Sequence, residues 1–128
     1  MDRADKTPNG DLLDALGGTD GVRAVIGATY FHVLQDAALA PHIRALRAHT
    51  LIEQTTQLVS AILRPGTSKL PSAALLANSG LLDGANFYQL KAHLRRCLTD
   101  FGYPPTLAAE VLALIEVYRH RDPRDATH

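Results

Sequence analysis

Residues 20–35 read DGVRAVIGATYFHVLQ, and among their apolar side chains Val22, Val25, Ile26, Tyr30, Val33 and Leu34 form a regular series. Steps of three and four gather these positions onto one stripe of an α-helix, whereas a half-buried strand would need strict alternation. Asp20 is suited to cap the helix, because its carboxylate can accept from an amide of the first turn that has no partner within the helix. The stretch therefore predicts an amphipathic helix from Gly21 to about Gln35.

The same period recurs downstream. Ala48, Leu51, Thr55, Leu58, Val59, Ile62 and Leu63 predict a helix over 44–63, stopped by Pro65-Gly66. Phe87, Leu90, Leu94, Cys97, Leu98 and Phe101 predict a third over 87–101, ended by Gly102. A last helix follows Pro104-Pro105, with Thr106 as a capping residue and Leu107, Val111, Leu112, Leu114, Ile115 and Tyr118 on its apolar face. Residues 64–86 are rich in Pro, Gly, Ser and Asp, and within them only 73–77 reads as helical. No segment alternates as a strand would, and neither a repeat nor a sustained heptad pattern is present. The fold class predicted is all-α.

At 128 residues with 46% apolar content the chain suits one domain with a single core. Residues 1–10 are polar and contain Pro8, Asn9 and Gly10, and residues 120–128 are charged and broken by Pro123. The expected organisation is a flexible N-terminal tail over 1–10, a domain over 11–119 and a flexible C-terminal tail over 120–128. Thirteen basic and thirteen acidic residues cancel without forming blocks, so charge points to neither nucleic acid nor an anionic membrane. With Cys97 as its single cysteine, and with neither a signal core nor a membrane-length apolar run, the chain is expected in a reducing cytoplasm.

Three blocks in order resemble a known family. LLDALGGTDGVRAVIGATYFHVLQDAALAPHI (12–43), LVSAILRPG (58–66) and FYQLKAHLRRCLTDFGYPP (87–105) are similar to the group I truncated hemoglobins. The shared features are the Gly17-Gly18 corner, a helix ending near a Tyr, a Leu-Ala-Pro turn, a distal helix closed by a glycine corner, and a Phe, His-Leu, Gly, Pro-Pro pattern. The resemblance implies a truncated globin fold, a 2-on-2 helical sandwich with heme between two helix pairs. It also implies a heme pocket formed around Tyr30, Ile43, Leu51, Thr55, Asn78 and Phe87. Tyr30 would occupy the distal position that hydrogen-bonds iron-bound oxygen, with Leu51 and Thr55 facing it.

Two of these positions depart from the family pattern. In ALLANSGLLDGANF (74–87) Asn78 stands where the heme-ligating histidine belongs, and a neutral carboxamide is a poor iron ligand beside imidazole. The loop from Asn78 to Phe87 is one residue short of the pattern, yet Ala77 and Ser79 are no better as ligands. Ile43 stands where a phenylalanine would stack on the porphyrin. Helical spacing alone accounts equally for Tyr30 as a core aromatic whose hydroxyl meets Thr55 or water.

The remaining histidines offer one substitute. His49 lies roughly 200° around its helix from Leu51 and faces away; His93 packs at the core edge; His120 and His128 fall in the tail. His42, beside Ile43, is the residue that could reach iron from the distal side if its segment moved. No zinc, P-loop, dinucleotide or nucleophile–base motif is present, and Cys97 among Leu94, Leu98 and Phe101 reads as core.

The leading expectation is a heme-free globin-like module, with no cofactor, that binds a small apolar ligand or a protein partner. The alternative is a heme b protein of non-standard ligation that handles O2 or NO through Tyr30, with His42 on the iron. A purely structural helical domain serving oligomerisation is the third reading.

Overall fold

Seven helices form along the described residues, which in this computed structural model are 8–64 and 70–120, with side chains described for 12–64 and 70–119. They are α1 (Pro8–Ala15), α2 (Gly18–Leu34), α3 (Ala40–Ile43), α4 (Ala48–Leu63), α5 (Ala74–Ala77), α6 (Gly84–Asp100) and α7 (Pro105–His120), and the described residues contain no strand. The all-α class read from apolar spacing is the class observed.

The first apolar stripe belongs to α2, and α2 is the hub: it packs on α1, α3, α4 and α6, while α7 closes the other side against α4 and α6. Val22, Val25, Ile26, Tyr30 and Val33 are all buried, and they meet Leu51 and Leu58 of α4 and Leu94 and Leu98 of α6 in one continuous core. Burial of this apolar surface, at about 25 cal/mol per Å², is the main term holding the helices together.

Several element ends differ from those expected. α2 begins at Gly18 rather than Gly21, because Gly17 and Gly18 take left-handed φ angles of 91° and 75° that turn the chain sharply out of α1. Asp20 consequently does not cap. It sits inside the first turn, exposed, where it accepts from Arg23 at 2.7 Å and still complements the positive end of the helix. The helix expected over 44–63 is shorter: residues 44–47 form an irregular stretch after α3, and α4 starts only at Ala48, with Arg47 extended at ψ 112° ahead of it. Ile43 and Leu46 both turn to the core across this break, so burial there is achieved without a continuous helix. α6 starts three residues before Phe87, through Gly84, Ala85 and Asn86, and α1 begins at Pro8, inside the stretch expected as a tail. Proline at a first helical position loses nothing, since that amide has no helical partner. The remaining tail residues, 1–7 and 121–128, and the Pro65-Gly66 stop lie outside the described residues.

The α1–α2 corner is fixed by a close approach. A Cβ at Gly21 would lie 1.7 Å from the Leu16 carbonyl oxygen, and that same oxygen accepts from the Tyr103 hydroxyl at 2.8 Å. The lead into α7 is thereby tied to the start of α2. Among the described residues no helix is long and apolar enough to cross a membrane.

Candidate functional site

Where α2, α4, α6 and α7 converge, their side chains leave a cavity of about 50 Å³. Helical periodicity decides which residues face it. α4 supplies Thr55, Leu58, Val59 and Ile62, and α6 supplies Phe87, Leu90, Lys91 and Leu94, each set at positions i, i+3, i+4 and i+7. α2 contributes Ile26, Thr29 and Tyr30, and α7 contributes Ile115 and Tyr118 at an i, i+3 spacing. Leu76 of α5 and Leu82 of the following turn complete the wall.

The wall is almost wholly apolar, and its buried polar atoms on α2 and α4 are already paired. Tyr30, 4% exposed, and Thr55, 5% exposed, share a hydroxyl hydrogen bond of 2.9 Å. Burial pushes the Tyr30 phenol well above its ordinary pKa, and the Thr55 bond opposes this only in part, so the ring stays protonated and neutral. The Thr29 hydroxyl donates back to the Val25 carbonyl at 2.8 Å. The core-aromatic reading of Tyr30 is thus met in full by Thr55.

Lys91 is the single charged residue of the wall among the described residues, and its side chain is about a quarter exposed, at 26%. Its ammonium donates to Glu116 and lies 5.2 Å from the Phe87 ring centroid. The Arg119 guanidinium covers the same ring at 4.9 Å, while its Nε donates to the Leu82 carbonyl at 2.8 Å and its Nη1 lies 3.9 Å from Glu116. A half-buried cluster of two cations and one carboxylate therefore rims an apolar chamber.

Of the residues the resemblance placed in a heme pocket, Tyr30, Thr55 and Phe87 come together on this cavity. Leu51 and Ile43 are buried, at 1% and 4% exposure, but belong to the core beside it and are not part of its wall. Asn78 is the clear correction: it is the C-cap of α5 and faces solvent, and Leu76, two residues earlier, is the side chain that α5 turns inward. The aperiodic loop following α5 hid this orientation, since four helical residues are too few to show a stripe. The signal for Lys91 was available, because it sits four residues after Phe87 on the same face.

His42 does not line the cavity either. Its Nδ1 lies 3.1 Å from the Ser79 carbonyl and its Nε2 lies 3.2 Å from the Asn86 amide nitrogen. With the proton on Nδ1, the ring donates to Ser79 and accepts from Asn86, whose amide also donates to Gly80 O at 3.0 Å. Gly80, at φ 90°, lies so near that a Cβ there would be 2.9 Å from Nδ1. Both imidazole nitrogens are committed to holding the turn between α5 and α6.

These residues do not fit a heme. Among the described residues the wall contains no His, Cys or Met, its phenol at position 30 is held protonated, and its volume falls far below the roughly 300–1,000 Å³ of sites for large organic ligands. Among the described residues no group of three or more His, Cys, Asp or Glu side chains is arranged to hold a metal ion.

His93, Asp36, His49 and Cys97 stand apart from the cavity wall. His93 Nε2 bonds Asp36 at 2.8 Å and its ring stacks on His32 at 6.4 Å, pinning α6 to the end of α2. The His93 contact holds the Asp36 carboxyl below the usual range, with help from the Ala38 amide. His49 is exposed, as its helical position required. Cys97, 1% exposed, is core, and burial raises its thiol pKa. No family model and no curated protein matches the chain.

Proposed function

We propose that the chain is a heme-free module of the truncated-globin kind, a 2-on-2 helical sandwich whose central chamber takes a small apolar ligand. The helix order, the glycine corner ahead of α2 and the convergence of four helices on Tyr30, Thr55 and Phe87 support the globin reading. The observation that carries the ligand reading is the chamber: about 50 Å³ of space, apolar walls and a Tyr30–Thr55 pair that needs no external partner. Water gains little there, because a buried water requires two to four polar partners, whereas a dry apolar cavity accepts xenon or a small hydrocarbon.

Xenon is the direct probe. Under xenon pressure the methyl resonances of Leu58, Leu76 and Leu82 should shift saturably, with those of Leu12 and Leu13 unchanged. A parallel hemin titration should give no saturable Soret band. Stoichiometric tight hemin binding, or the absence of any xenon response at the cavity methyls, overturns the reading.

A further inference from the structure

We infer that the chamber is the tail site of a small amphiphile and that Lys91 at its rim receives the carboxylate head, so that the ligand class is a short-chain monocarboxylate. The inference rests on the small-ligand reading and adds the head group. Lys91 is in contact with both the chamber and solvent, at 26% side-chain exposure, so a bound molecule can bury its tail while its head meets the ammonium. Among the described residues the rim carries two cations, Lys91 and Arg119, against the one carboxylate of Glu116, a balance that favours an anion.

Glu116 now occupies Lys91, and the geometry gives it somewhere to go. Its other oxygen already lies 3.9 Å from Arg119 Nη1, so an incoming carboxylate can take Lys91 while Glu116 closes onto Arg119. Neither exchange strands a charge, the condition under which swapping a partly buried ion pair is feasible. The Arg119 guanidinium and the Lys91 ammonium both lie over the Phe87 ring, so the cations stand at the edge of the apolar part of the site.

Volume fixes the tail. If one water-sized sphere needs about 10–15 Å³ of such space, 50 Å³ holds about three to five heavy atoms, enough for the propyl tail of butyrate. Affinity should therefore rise from acetate to butyrate and stop rising by hexanoate, whose five-carbon tail reaches the upper end of that range.

The test compares butyrate, 1-butanol and butylammonium, three molecules of one tail and different heads, by methyl chemical shifts of the whole chain. Butyrate should bind about tenfold tighter than butanol, the scale of one charge-assisted hydrogen bond, and butylammonium weakest. Lys91→Met should erase the preference and Lys91→Arg should retain it. Equal binding of all three by the wild-type protein, with xenon still bound, overturns the carboxylate inference and leaves the apolar chamber standing. No response to xenon or to any of the three overturns both.

Discussion

Two glycines of one helix should respond oppositely to the same added methyl group. At Gly21 a Cβ would stand 1.7 Å from the Leu16 oxygen and 2.7 Å from its carbon, both backbone atoms. To open even 3.0 Å the carbonyl has to retreat by about 1.3 Å, more than a packed corner absorbs without strain, which typically costs about 1–3 kcal/mol. That retreat also breaks the 2.8 Å bond from Tyr103, a further loss of about 1 kcal/mol. The better helix propensity of alanine returns about 1 kcal/mol. Gly21→Ala should therefore destabilise by about 1–3 kcal/mol and lower Tm by roughly 4 °C for each. At Gly27 nothing lies within 4 Å of the added atom, so Gly27→Ala keeps only the propensity gain, up to about 1 kcal/mol. Thermal and urea unfolding of both variants measure this. A Gly21→Ala protein that melts at or above the wild type, or two variants that shift together, would refute the packing of α1 against α2 described above.

Further expectations concern the chamber and its surroundings. Tyr30→Phe and Thr55→Val should each cost about 1–3 kcal/mol by stranding the partner hydroxyl, and the double variant should cost less than their sum, as measured by a denaturation cycle. Leu76→Ala should cost about 2–5 kcal/mol and strengthen xenon binding by enlarging the cavity; unchanged xenon affinity would place Leu76 elsewhere. Asn78→His should gain no Soret absorbance on hemin addition and change stability by less than about 0.5 kcal/mol, because position 78 faces solvent. Asp36 has a folded pKa depressed first by His93, so its contribution is present above the unfolded carboxyl pKa of about 4 and is lost as pH falls through the folded value. The acid limb of a stability–pH curve should accordingly be shallower in Asp36→Asn.

What was legible in the chain follows the physics of periodicity. Long stripes such as 22–33 and 87–98 announced their helices and the faces they bury, although Leu34 at the end of the first is exposed, and the three pocket residues that hold, Tyr30, Thr55 and Phe87, all lie on such stripes. Asn78 was misplaced because a four-residue helix followed by Ser79, Gly80 and Asp83 has no stripe to orient it, leaving only a counted register. Asp20 was misplaced for a different reason: positive-φ glycines begin the helix earlier than any side-chain cap would. The rim of Lys91, Glu116 and Arg119 was invisible as a cluster, since it joins α6 to α7 through tertiary packing that local sequence does not encode.

The small turn between α5 and α6 has a consequence for how this chain can vary. Gly80 is constrained twice, by its φ of 90° and by the His42 ring lying against the place where a side chain would begin. Trimming His42 would relieve the second constraint and leave the first, so no change at 42 alone opens position 80 to a larger residue. In a library that randomises both positions, selection for a folded product should return glycine at 80 whatever residue is drawn at 42, while the identity at 42 should drift together with Asn86, its hydrogen-bond partner.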